Sequence, residues 1–253
     1  NYFSQKLYTQ AICEFEKAVK EKPENLEAQL SLGRAYSRAG NQDQALIALF
    51  EALKLSPKNC EARAEVAVIL MRRGSFDEAG GQLKQILDVN ANDMVARGNY
   101  GLCLEQIGLV DAAIEQFRMV AKEQPKSIEA LYNLALALQL KGQVEESAFY
   151  FKKVLALDPQ HTFALTGLGK CFLLRKDYNN AALLETRAIK INANNHWAYL
   201  ILGEALESMG KKSESVEAFR KAIQINPKDP ACRACLSRLL KQNMAVSPNA
   251  LTR

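Results

Sequence analysis

Apolar and small residues recur along this chain at spacings that fit amphipathic helices, and the helices themselves recur. In the stretch Ile128 to His161, IEALYNLALALQLKGQVEESAFYFKKVLALDPQH, apolar residues three and four apart mark two helices, with a turn at Gly142 and a stop at Asp158-Pro159. The stop position repeats: Pro23, Pro57, Ala91, Pro125, Pro159, Ala193 and Pro227 stand 34 residues apart without a slip. Taking the residue three after each as position 1 gives six full repeats, 26–59, 60–93, 94–127, 128–161, 162–195 and 196–229, with a half repeat at each end.

Other columns keep the same register. Position 8, where two helices must come close, holds Gly33, Ala67, Gly101, Ala135, Gly169 and Gly203, then Ser237 in the last half repeat. Position 20 in the second helix is small throughout, from Ala45 and Ala79 to Ser147 and Ser215. The turn position carries Gly40, Gly74, Gly108, Gly142 and Gly210, which suit a helix C-terminus because glycine adopts positive φ without strain; Lys176 is the exception. The period, Leu134-Ala135, Leu202-Gly203, Ala113, Phe117 and Phe151 at position 24, and Pro159 together resemble the tetratricopeptide repeat across nearly the whole chain. That resemblance implies an all-α fold, a right-handed superhelical solenoid of antiparallel helix pairs. First helices would line a concave groove and second helices the outer surface, each repeat burying its face on its neighbours.

Residues 1–25 then read as the end of a first helix and a complete second helix, so the absent partner helix is expected before Asn1, in a longer chain or replaced by a binding partner. Residues 230–244 read as a capping helix with Arg233, Arg238 and Lys241 on its polar side, and 245–253 as a disordered tail. Two regions depart from the pattern. Gly80, Gly81 and Gly98, with Ala91 in place of proline, either form a soft joint at 80–98 or simply allow close packing, each interior glycine costing ~1 kcal/mol relative to alanine. The fifth repeat has Glu185 where a large apolar residue is usual, Lys176 at the turn and Ala193 for proline, so it is either less stable or turns Glu185 toward a partner.

Charge and composition narrow the function. Of a formal net charge of +5, four charges (Arg233, Arg238, Lys241 and Arg253, with no acid) fall after residue 229. The repeats therefore lack the basic strip with interleaved aromatics that nucleic acid requires. No nucleic-acid partner is expected, and membrane contact is expected to be peripheral or through partners. The six cysteines form no disulfide framework, which favours a cytoplasmic location, at most at a membrane or organelle surface. Cys232 and Cys235 have Cys-x-x-Cys spacing but no second ligand pair, so they read as ordinary helix residues rather than a metal site. No phosphate loop, Gly-x-Ser-x-Gly elbow or His-Glu-x-x-His pair is present; no catalysis, cofactor or metal is expected.

The groove carries the functional reading. At 100° per residue, positions 2, 5, 9 and 12 of each first helix fall opposite the core stripe and should be polar unless they bind something. Instead they give an apolar, aromatic lane: Leu102; Tyr132, Leu136 and Gln139; Phe163, Thr166, Lys170 and Leu173; Trp197 and Leu200. Arg34 and Arg38 lie upstream, and Glu204 and Glu207 downstream. An exposed apolar lane rimmed by charge suits a peptide or amphipathic helix, although position 2 aromatics can also fold over the preceding loop. The resemblance brings two specialised modes that the residues do not support: no repeat has the Lys at 5 or Asn at 9 of a carboxylate clamp, and the position 6 asparagines of the O-linked N-acetylglucosamine transferase reduce to Asn99 and Asn133. The expected function is a scaffold or adaptor that binds protein or peptide segments, with self-association through its ends; bacterial assembly proteins of this family, the magnetosome-associated type among them, fit it. The alternative is the substrate-recognition region of a larger enzyme.

Overall fold

The computed structural model describes the backbone of residues 2–245 and the side chains of residues 7–238. Within them the chain is all helix and turn: α1 (Tyr2–Glu21), α2 (Leu26–Ala39), α3 (Gln42–Leu55), α4 (Cys60–Arg73), α5 (Phe76–Val89), α6 (Met94–Gln106) and α7 (Val110–Glu123) form a first compact block. A second block follows, comprising α8 (Ile128–Leu140), α9 (Val144–Leu157), α10 (Thr162–Leu174), α11 (Tyr178–Ile191), α12 (His196–Ser208), α13 (Lys212–Ile225) and α14 (Pro230–Ala245). Each block is a solenoid in which every helix packs on the next, and α10 also touches both α8 and α12. Of the tail expected at 245–253, Ala245 instead closes α14, while 246–253 and the side chain of Lys241 lie outside the described residues.

Both helix ends are fixed by local chemistry. Asn25, Asn59, Asp93, Ser127, His161 and Asn195, all at position 34, accept a hydrogen bond from the backbone N–H three residues on, satisfying a donor that the first turn would otherwise leave orphaned. At the other end the turn residue adopts positive φ, 79 to 87° in the five glycines and 62° in Lys176. The next N–H then reaches back five residues, as from Asn41 to the Tyr36 carbonyl (2.9 Å) and from Asp177 to Phe172 (2.9 Å), closing a Schellman turn.

Position 8 decides how closely the two helices of a repeat approach. A Cβ on Gly101 would stand 2.7 Å from the Phe117 ring, and one on Gly203 2.6 Å from Phe219, so glycine is what admits a wholly buried phenylalanine at position 24. In the fourth repeat position 8 is Ala135, and the Phe151 ring lies instead against Gly167 of the next repeat, where a Cβ would collide with it. The two position 20 serines are buried but satisfied: Ser147 Oγ donates to the Ala135 carbonyl (2.7 Å) and Ser215 Oγ to Gly203 (2.8 Å).

Two sequence expectations change here. Glu185 does not turn toward a partner: it is fully buried against Gly169, in the slot that Phe117 and Phe219 fill in their repeats. Neither of its carboxyl oxygens has a hydrogen-bond partner of good geometry. Desolvation drives its pKa well above the ordinary carboxylate range, and the Thr166 hydroxyl offsets this only in part. As for the glycines at 80–98, α5 runs unbroken through Gly80 and Gly81, a Cβ on Gly80 would make ordinary contact with Tyr100 (3.6 Å), and those on Gly81 and Gly98 would meet nothing. Close packing therefore does not require them. The two compact blocks divide at Glu123/Gln124.

Candidate functional site

Within the second block the first helices α8, α10 and α12 lie side by side, and a recess of about 380 Å³ opens on the face they share. Tyr132, Leu136 and Gln139 of α8, Phe163, Thr166, Gly167 and Lys170 of α10, and Trp197 and Ile201 of α12 line it. The helical period explains the set. Phe163, Gly167 and Lys170 are successive turns of one face of α10, and Tyr132, Leu136 and Gln139 of one face of α8.

The aromatic side chains stand at its rim. Phe163 and Trp197 are 54% and 47% exposed, although each follows an N-cap at position 34. Trp197 leans on His196 (4.8 Å between rings) and Phe163 meets His161 edge-on at 6.4 Å. Neither ring is covered by these contacts. Tyr132 is half-buried, edge-on to Phe151 at 5.9 Å and 5.2 Å from the His161 ring; burial raises its phenol pKa.

Behind this rim the polar groups are occupied by the protein itself. Gln139 donates one amide proton to the Gly167 carbonyl (2.9 Å) and one to Cys171 Sγ (3.2 Å). The Thr166 hydroxyl accepts from Asn195 (3.1 Å). Lys170 is exposed, is the single charged group lining the recess, and makes no ion pair among the described residues.

Of the residues singled out from the sequence, Tyr132, Leu136, Gln139, Phe163, Thr166, Lys170 and Trp197 come together here. Leu200 does not. It is 5% exposed, in a buried cluster with Phe219, Ala222, Cys232 and Cys235, and position 5 is likewise buried at Leu30 and Thr166. Leu173 and Glu204 line a separate recess with Lys176, Tyr178, Glu207 and Arg238. There Arg238 pairs with Glu207 (2.6 Å), and burial raises the Glu204 pKa against the opposing charges of Arg238 and Lys170. Arg34, Arg38 and Leu102 belong to the first block. Arg34 is engaged by Glu61 and by Glu65 (3.4 Å), while Arg38 is exposed and Leu102 half-buried.

Sequence reasoning passed over Gly167 and Ile201 as lining residues. The signal was present at position 6, where Ser31, Glu65, Asn99 and Asn133 give way to a glycine and an isoleucine. Cys232 and Cys235 are buried free thiols. Burial pushes Cys232 up to about 11 and raises Cys235, the opposite of a reactive or metal-poised pair. Among the described residues no cluster of three metal-ligating side chains occurs, and no helix is long and apolar enough to cross a membrane.

The sequence matches the family profile described as Tetratricopeptide repeat over residues 8–160, and two further profiles of that description over 132–196 and 198–229. No curated protein matches the chain by sequence. Among solved structures it is similar to YrrB, described as a TPR protein with an unusual peptide-binding site: 19% identity, 73% of this chain, 95% of that one, TM-score 0.65. A tetratricopeptide repeat protein from Parabacteroides merdae is 19% identical over 92% of both chains, with a TM-score of 0.70. MamA from Desulfovibrio magneticus RS-1 is 21% identical over 67% of this chain and 96% of that one, with a TM-score of 0.64. At these identities the likeness is one of fold.

Proposed function

The chain belongs to the tetratricopeptide repeat family, and on that premise we propose that it is a non-catalytic adaptor whose recess between α8, α10 and α12 binds peptide or helical segments of partner proteins. The observation that carries this reading is the convergence of Tyr132, Phe163 and Trp197 on one open, largely apolar recess. Aromatic side chains of this kind become anchors when a partner desolvates them. Phe163 and Trp197 bring half-exposed aromatic surface to one recess, where a partner could cover it. The recess volume also lies in the range of pre-formed ligand sites, ~300 to 1,000 Å³.

Phe163→Ala and Trp197→Ala test this. Both side chains are half in water, so the variants should keep wild-type helical content by circular dichroism. Partners recovered with the wild-type chain and identified by mass spectrometry should be lost from the double variant. Undiminished recovery would move the binding surface away from the recess.

A further inference from the structure

The recess also carries information about its occupant, provided that it binds peptides as proposed above. Its floor is built around Gly167. Because the Phe151 ring presses against that backbone from behind, a Cβ there would collide with it. Gly167 therefore meets the recess as bare backbone, leaving a gap at the one position where preceding repeats carry Ser31, Glu65, Asn99 and Asn133. Leu136, Ile201 and the rim aromatics surround this gap, a setting that favours one bulky apolar side chain.

The polar lining is selective by what it has left to offer. Both amide donors of Gln139 are committed to Gly167 and Cys171, and Thr166 is engaged by Asn195. Lys170 and the Tyr132 hydroxyl remain, Lys170 exposed and without an ion pair among the described residues. Three residues beyond Gly167 on α10, Lys170 stands about 4.5 Å further along the helix axis. Glu204 is close enough to feel its charge, yet is half-buried and hydrogen-bonded from Cys235 Sγ (3.7 Å), so it does not neutralise Lys170 by contact.

We propose that the recess takes a peptide segment that seats a bulky apolar side chain over Gly167 and presents an internal aspartate or glutamate to Lys170. The acid lies roughly one helical turn from the anchor if the segment is helical, and one or two residues away if it is extended. A basic segment is disfavoured, because it would set like charge against Lys170 in a recess with no lining carboxylate.

Selection from a random peptide library, displayed with its C-termini fused so that no terminal carboxylate is available, tests this on the intact chain. Wild type should enrich sequences pairing a large apolar residue with a nearby Asp or Glu. Lys170→Ala should weaken a selected peptide roughly fivefold, the upper end for an exposed ion pair, and Lys170→Glu should enrich Lys or Arg in place of the acid. Apolar sequences with no acidic bias, still lost on Phe163→Ala and Trp197→Ala, would overturn this inference and leave the peptide-binding reading standing. Enrichment indifferent to those two substitutions, or no enrichment at all, would overturn both.

Discussion

Glu185 is the residue at which this sequence most plainly works against its own fold. A fully buried carboxyl group without a well-formed hydrogen bond costs ~1 to 3 kcal/mol, more when charged. The equivalent position holds leucine in two other repeats, Leu49 and Leu83, and both are buried. Glu185→Leu should therefore stabilise the second block by about 2 kcal/mol, read as a raised denaturation midpoint. Linkage gives this a sign with pH. The folded-state pKa is raised above the unfolded one, so from the ordinary carboxylate range upward the native state holds a proton that the unfolded chain has released. Stability should fall as pH rises through that window, and Glu185→Leu should remove the slope; a variant with the wild-type slope would place the titration elsewhere. Lys176 is a second strained residue. A non-glycine side chain at φ 62° costs ~1 to 2 kcal/mol relative to glycine, so Lys176→Gly should raise stability by about 1 kcal/mol. The substitution at this column was legible from the sequence, and its turn forms nonetheless. What the sequence hid was the burial of Glu185, since an acid on a helix is ordinarily assigned to water.

Among the elements, the helices and their register were legible because position 8, position 24 and the turn glycine each answer to a separate steric demand. The face of a first helix was less so. A helical wheel places position 5 opposite the core, yet Tyr132 is half-buried at the recess while Leu200 lies in the core. Position 5 is in fact buried at Leu30 and Thr166 as well as at Leu200, and a wheel does not see the neighbouring helix. The position 34 caps went unread, although Asn, Asp and Ser fill that column, with His161 standing in through its ring nitrogen. The helices α5 and α6 carry a prediction of their own. Gly81 and Gly98 have open space where a Cβ would go, so Gly81→Ala and Gly98→Ala should each stabilise by about 1 kcal/mol. Wild-type amide exchange across residues 80–98 should be faster than in α8 and should slow in the double variant. Equal protection in the wild type would mean that packing between α5 and α6 outweighs the glycines.

At the scale of the molecule, repetition supplies a regular scaffold, and function lies where the repeats differ. Seven of the residues singled out from the sequence converge on one recess in the second block, drawn from three repeats whose 34-residue period brings the same helix faces side by side. The rest of the expected lane does not join them: Leu173 and Glu204 belong to another recess, and Leu200 to the core. Period and composition could announce a candidate binding surface, but its extent depended on which neighbouring helix covers which position. The chain contains a single tryptophan, Trp197, and it stands half-exposed at the rim. Its emission during titration with a binding peptide, compared with calorimetry on the same pair, is the most direct test of the recess as the binding site. A blue shift that saturates at the calorimetric midpoint is the expected result. Heat of binding with unchanged Trp197 emission would contradict it.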